Sequence, residues 1–279
     1  MPLGTEWPQT YPIKESYKNE ANIMKTTDKK SPLKAEPLRN PGQSLDEEIN
    51  ELWEDKAFTY TTYIAGFCGL LAADWYRWLT NTPINPIQTT IFSLIIIIFC
   101  VYKLIGIRRK TLQLKLARDG EKIIGQYLDD LKEEGARVLH DIKGENFNVD
   151  HVIFSAHGIF VVDTKTYQKP AKGETKVYVK GDEVYVDKYR IERNPIKQSR
   201  ALTKWVQDLL KETTGKKFPV QGVVVFPGWY VEKMTGKEDI WVLNPKALPT
   251  FIRNSESKLP MEDVQLAYYH LSRYVRSKY

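Results

Sequence analysis

Residues 87–107, IQTTIFSLIIIIFCVYKLIGI, form a 21-residue run with four consecutive isoleucines and one charge, Lys103. About 20 apolar residues span a bilayer core, and a lysine near a helix end can extend its ammonium to the interface. A soluble core helix seldom stays apolar over this length, so the run is read as a transmembrane helix. A weaker run, 57–73, has 17 residues and three threonines, but Trp75, Tyr76 and Trp78 follow it where interfacial anchors would stand. Residues 80–86, TNTPINP, are turn-rich, so the two runs are expected to form a transmembrane helical hairpin over 57–107. Arg108, Arg109, Lys110 and Lys115 crowd the exit of the second run, whereas Arg77 is the only basic residue of the connection. The positive-inside rule then predicts a two-pass protein of the cell (inner) membrane with both termini, and all that follows residue 108, in the cytoplasm.

The net charge of +6 is unevenly divided. Residues 1–56 hold 8 basic and 11 acidic side chains, residues 57–107 hold 2 and 1, and residues 108–279 hold 31 and 23, giving −3, +1 and +8. A cationic C-terminal part favours anionic partners, nucleic acid or a lipid surface. Both cysteines, Cys68 and Cys100, lie inside the apolar runs, which leaves no disulfide framework and no paired-cysteine zinc site. The first twenty residues lack a basic start followed by an apolar core, so no cleavable secretion signal is expected there. Residues 1–43 have no sustained period and read as a disordered arm. Over 44–56, Ser44 followed by Asp46, Glu47 and Glu48 resembles a capped helix start, with Leu45, Ile49, Leu52 and Trp53 forming an amphipathic stripe.

Beyond residue 108 the pattern changes. A helical stripe through 119–133 ends near Gly135, and strand-like runs follow at 137–142, 148–155 and 159–165, the last two joined by the turn 156–158. A hairpin is predicted at 176–179 and 183–187, a helix from Asn194–Pro195 to about Glu212, strands at 220–226 and 240–243, and helices at 246–253 and 261–276. Helices and strands alternate, which indicates an α/β domain over 108–279 with a mixed central sheet flanked by helices.

Asp150 and Asp163 fall on consecutive predicted strands with 12 residues between them, and Lys165 stands two places after the second acid. Strand alternation puts positions 163 and 165 on one face, and a hairpin brings Asp150 beside them. Two hard oxygen ligands at one point suit Mg²⁺ or Mn²⁺, which retain waters and bridge to substrate phosphate. A lysine there can orient or help deprotonate an attacking water.

The segment VDHVIFSAHGIFVVDTKTY, 149–167, resembles the PD-(D/E)XK nucleases and, within them, the nuclease-related domain family, NERD. The resemblance spans roughly 117–226. It takes in Gly120–Glu121, the VLHDI strand at 138–142, Asp150–His151, the turn and strand 158–162, Asp163 and Lys165, then Asn194, Pro195 and Gln198, and finally GVVVF at 222–226. It implies a restriction-endonuclease-like core in which Asp150 and Asp163 are metal ligands and Lys165 is catalytic. Glu121 would complete the acidic cluster, as ligand or catalytic group, and Gln198 would help position substrate or lysine. Relatives most often carry Glu at the position of Asp163, and a side chain one methylene shorter shifts the metal.

Some of these residues have plainer readings. An acid in a helical first turn is favoured by the helix dipole, so Glu121 alone is compatible with surface charge. His151 and His157 suit supporting or turn roles better than ligation. Trp205 and Trp229 could stack on bases, yet packing is the better reading. The expected function is a membrane-anchored, metal-dependent nuclease hydrolysing nucleic acid, DNA before RNA, with a homodimer implied by the resemblance if both strands are cut. The alternative is an inactive nucleic-acid-binding or scaffold module on the membrane. A basic segment 108–118 that binds anionic lipid would account for part of the charge.

Overall fold

The computed structural model describes residues 38–80, 85–169, 176–187, 189–191, 193–235, 239–256 and 258–277. Most of the expected arm, 1–37, and most of the expected turn, at 81–84, lie outside the described residues.

Helix α1, Gln43–Glu51, passes through one π-helical turn, Leu52–Ala57, directly into α2, Phe58–Leu79. Helix α3, Pro86–Glu133, is one element of 48 residues, about 72 Å at about 1.5 Å per residue. Asn85 caps it by accepting from the Ile87 N–H at 3.1 Å, and Pro86 occupies the first turn, where its missing N–H costs nothing. Between Ile107 and Gly120 the sequence has neither Gly nor Pro, so nothing interrupts the helix where the apolar run ends. Helices α2 and α3 run antiparallel: Trp75 donates to Thr90 Oγ1 at 3.1 Å, and edge-to-face pairs join Phe67 to Phe92 and Tyr60 to Phe99. Small residues Ser93 and Cys100 are buried in α3, whereas Ile87, Ile91, Phe92, Ile95, Ile98 and Tyr102 are exposed. Among the described residues α3 is the one helix long and apolar enough to cross a membrane. The 22-residue α2 does not reach that mark, so the structure contains the helix pair without showing two spans.

The C-terminal part is built on a five-stranded mixed sheet in the order β1 (Arg137–Lys143), β2 (Asn148–Ser155), β3 (Gly158–Thr164), β7 (Val220–Val225), β9 (Ile240–Leu243). Strands β1 to β3 form an antiparallel meander, and β7 and β9 are added in parallel. A second sheet, β6–β5–β4–β8, holds β4 (Lys176–Lys180), β5 (Glu183–Val186), β6 (Tyr189–Arg190) and β8 (Tyr230–Thr235). The sequence pattern signals the β4–β5 hairpin but not β8, whose YVEKMT lacks a simple apolar alternation.

Strand alternation sorts the first sheet's side chains onto two faces. Val138, Ile153, Phe160, Val162, Val223 and Val225 pack against Ile124, Leu128 and Leu131 of α3 and against α5 (Leu248–Arg253). Leu139, Val152, Phe154 and Val161 pack against α4 (Pro195–Thr214) and α6 (Met261–Ser277). Helix α4 begins as its Asn-Pro predicts, with Asn194 accepting from the N–H groups of Ile196 and Lys197. This is a two-face α/β sandwich of the kind that the element order indicates.

One contact sets how closely α3 approaches the sheet. A Cβ on Gly120 would stand 1.9 Å from Thr166 Oγ1, so only glycine lets the helix rest against the chain leaving β3. Replacing Gly120 with alanine gains about 1 kcal/mol of helix propensity but introduces an overlap that costs about 1–3 kcal/mol. We expect Gly120→Ala to lower the unfolding midpoint in a chemical denaturation series, and Thr166→Ala to restore part of the loss in the double variant.

Candidate active site

The β2–β3 ladder pairs His151 with Val162, so the next position along brings Asp150 beside Asp163 on the same face. The Thr164 N–H donates to Asp150 Oδ2 at 2.6 Å. Beyond the strand end, the Lys165 N–H remains tied to the Val225 carbonyl at 2.9 Å, which holds residue 165 in line with β7. The Lys165 ammonium lies 2.9 Å from both oxygens of Asp163, with hydrogen-bond geometry to Oδ1, and donates to Gln198 Oε1 at 3.1 Å. Asp163 is buried, and its Oδ2 has no hydrogen-bond partner among the described residues.

Glu121 enters from α3 immediately after Gly120, within electrostatic reach of Asp150, Asp141 and Asp163. Burial, and then those three charges, push its carboxyl up to about 9, against an opposing Gly42 N–H bond. Burial and the neighbouring Asp163 push Asp150 up to about 7, with Lys165 and the Thr164 N–H opposing. Burial also raises Asp163, against the pull of Lys165. Burial would lower the Lys165 ammonium, but Asp163 and Asp150 more than offset it, so its pKa rises and the group stays charged. The structure therefore brings Asp150, Asp163, Lys165 and Gln198 together and sets Glu121 beside them.

Sequence reasoning passed over Asp141 as a separate site residue, although it stands in the VLHDI strand. It is buried, has a φ of 51°, unusual for a residue other than glycine, and anchors a segment from far upstream. Arg39 Nε donates to Asp141 Oδ2 at 2.6 Å, and the Ser44 N–H donates to the same oxygen at 2.8 Å. The Ser44 hydroxyl bonds Asp141 Oδ1, so this serine secures the strap, while Gly42 stands at the start of α1. Arg39 also pairs with Glu47, and Asp46 accepts from Arg118 and Lys122 of α3. Residues 38–51 thus clamp α3 and β1 beside the acids, a contact across about a hundred residues that no local pattern announces.

The histidines and tryptophans take the plainer roles. His151 faces away from Asp150 by alternation, its Nδ1 2.8 Å from that of His140. Burial holds His140 down to about 4 and His151 well below its ordinary value. His157 lies in the β2–β3 turn. Trp205 packs edge-on against Phe147 and Tyr274, and Trp229 is buried with its indole N–H on the Tyr167 carbonyl at 3.3 Å.

As to a cation, among the described residues no three His, Cys, Asp or Glu side chains are gathered around one point. Two carboxylates with waters suffice for Mg²⁺, however, and the buried Asp163 Oδ2, which meets the Lys165 ammonium as an ion pair without hydrogen-bond geometry and stands beside the Asp150 carboxylate, fits a hard divalent ion.

Residues 116–227, under half of the chain, match the family model described as NERD, nuclease-related domain. The match contains Glu121, Asp150, Asp163, Lys165 and Gln198. No curated protein and no solved structure matches the chain significantly.

The raised carboxyls have a consequence for stability. With Glu121 at about 9 in the fold and 4.5 as its ordinary value, the folded state holds a proton that the unfolded chain has lost at neutral pH. Its contribution is fully present below about pH 4.5 and is lost as pH rises through about 9. In chelator, Glu121→Gln is expected to unfold at a higher temperature than the parent chain at pH 8, by about 2–4 °C per kcal/mol recovered, with the gap closing toward pH 5. Thermal unfolding followed by circular dichroism at the two pH values checks this.

Proposed function

We propose that the chain is a metal-dependent nuclease held at the cytoplasmic face of a membrane, and that Asp150, Asp163 and Lys165 carry the reaction with Glu121 and Gln198 in support. The observation that carries this reading is the convergence of the two aspartates and the lysine at the open end of the β2–β3 hairpin, inside the segment that matches a nuclease-related domain. A Mg²⁺ or Mn²⁺ ion held by Asp150 and Asp163, with Glu121 close by, would supply Lewis acidity toward a phosphodiester and toward the attacking water.

The protein's own groups account for the remaining work. Without a bound cation Asp163 and Asp150 hold Lys165 as an ammonium, and in the reaction it would orient the attacking water or a phosphoryl oxygen, or help deprotonate the water. Gln198 fixes the direction of that ammonium from the first turn of α4. The basic excess beyond residue 108 favours a polyanionic substrate, and the preference for DNA over RNA rests on the resemblance alone. Cutting both strands of a duplex would call for a second copy of the chain.

Membrane attachment is supported by the exposed apolar surface of α3, far larger than the scattered apolar residues of a soluble surface. We assign α2 as a second crossing because it lies antiparallel to α3 and ends in Trp75, Tyr76 and Trp78. From Ile107 to Glu121, 14 residues of continuous helix cover about 21 Å, so the site would stand close to the lipid surface.

The test is cleavage of labelled single- and double-stranded DNA and RNA by the full chain in detergent, with Mg²⁺, Mn²⁺ or chelator. Metal-dependent cutting is expected, reduced at least a hundredfold in Asp163→Asn and in Lys165→Ala, on the order of the loss when one transition-state donor is removed. Binding without cutting under every metal condition would reject the enzyme and leave a binding module.

A further inference from the structure

A cavity of about 830 Å³ opens beside the acids, and neither the metal ligands nor Lys165 lies in its wall. Thr166 and Tyr167, the two residues after Lys165, form one side, and Gly120, the residue before Glu121, forms part of another. With successive Cα atoms about 3.8 Å apart, the cavity begins within about two residues of both arms of the site. Tyr127, Tyr167 and Tyr230 line it, and Lys169 and Lys246 complete its margin. Tyr230 and both lysines are exposed, and neither lysine makes an ion pair with a described residue. The one carboxylate on the wall, Asp119, is paired with Arg118 at 2.8 Å.

The walls are braced from behind. Trp229 donates to the Tyr167 carbonyl, and Asn244 donates to the Trp229 carbonyl at 2.6 Å while accepting from the Lys246 N–H at 3.0 Å. Tyr167 is stacked on Phe226, with ring centroids 6.1 Å apart and planes 18° apart. The turns bearing Tyr230 and Lys246 are therefore fixed relative to the chain that bears Lys165.

We infer that this cavity is the binding site for unpaired bases of a single-stranded nucleic acid, with Tyr230 as a stacking platform and Lys169 and Lys246 as phosphate contacts. Aromatic faces with flanking cations are what single strands use, because every base has a π-face and every linkage a charge. The volume lies within the about 300–1,000 Å³ range of small-molecule pockets, enough for a base and its sugar. A lipid acyl chain is the competing occupant, but the α3 residues on the wall, Leu116 to Tyr127, lie 9 to 20 residues beyond Ile107. That is about 14–30 Å of helix past the end of the apolar run, outside the hydrocarbon. The inference rests on the nuclease reading and makes it more specific: the strand presented to Asp150 and Asp163 is single or locally unpaired.

The test measures binding by fluorescence anisotropy in chelator, so that nothing is cut, with the full chain in detergent. The probes are labelled single strands of DNA and RNA, a duplex, and a single strand with abasic sites throughout. Tyr230→Ala should weaken binding of the native single strand about tenfold, the loss expected for one stacked base, and leave duplex and abasic strand unchanged. Tyr230→Phe should restore binding, because it keeps the ring. Lys246→Ala should reduce the slope of log affinity against log salt by about 0.7 for a single strand. Equal binding of native and abasic strands, or a Tyr230→Ala variant that binds as tightly as the parent, would overturn the inference while leaving the nuclease reading to its own cleavage assay. Displacement of a native strand by phospholipid vesicles in the parent but not in Tyr230→Ala would also overturn it, in favour of lipid. If the parent bound no nucleic acid in chelator and cut none with Mg²⁺ or Mn²⁺, both readings would fall.

Discussion

The close approach of Gly120 to Thr166 is the contact on which the geometry of the site depends. It is where a helix of 48 residues meets the strand end that carries Asp163 and Lys165. Because α3 is unbroken, the apolar segment and the acid at Glu121 belong to one rigid element, and the closeness of that element to the sheet decides whether Glu121 reaches the aspartates. The strap formed by Arg39, Ser44 and Asp46 holds the same junction from the other side, tying α1 to both β1 and α3. Apolar segment, helix and site are in this way mechanically continuous.

A second constraint is electrostatic. Four acids, Glu121, Asp141, Asp150 and Asp163, stand near one another, with Lys165 and Arg39 set among them. Arg39 pairs with Asp141 and Glu47 and Lys165 with Asp163, and burial still raises the pKa of Glu121, Asp150 and Asp163. Such an arrangement destabilises the chain where a hydrophobic cluster would stabilise it, and retained instability of this kind is characteristic of functional sites. It has a natural resolution if a divalent cation shares the carboxylates.

The sequence was most informative where its signals are local. Alternation and the short 156–158 turn put Asp150, Asp163 and Lys165 on one face, and the Asn-Pro helix start puts Gln198 in the first turn of α4. The long helix is legible as an apolar run and a stripe that opens at Leu112 and Leu116, and its continuity between them rests on 108–119 holding neither Gly nor Pro. The pairing of Arg39 with Asp141 was not legible, since it joins positions 102 apart and depends on the tertiary fold. Strand β8 was missed for a related reason: its partner β4 lies more than fifty residues upstream in parallel register, and its own pattern is mixed. The aromatic cavity likewise assembles from four separate stretches of chain, so Tyr230 and Lys246 carry no signal in isolation.

On the proposed reading the acids at the end of the β2–β3 hairpin hold a divalent cation. The most direct measurement is the thermal unfolding of the full chain in detergent at rising Mg²⁺ or Mn²⁺, beside Asp163→Asn under the same conditions. Preferential binding to the folded state raises stability by about 2.7 kcal/mol at a hundred times the dissociation constant. A metal site at these acids gives a concentration-dependent rise in the midpoint of the parent chain and little or none in the variant. Midpoints that do not respond to either ion, or that respond equally in both chains, would contradict it.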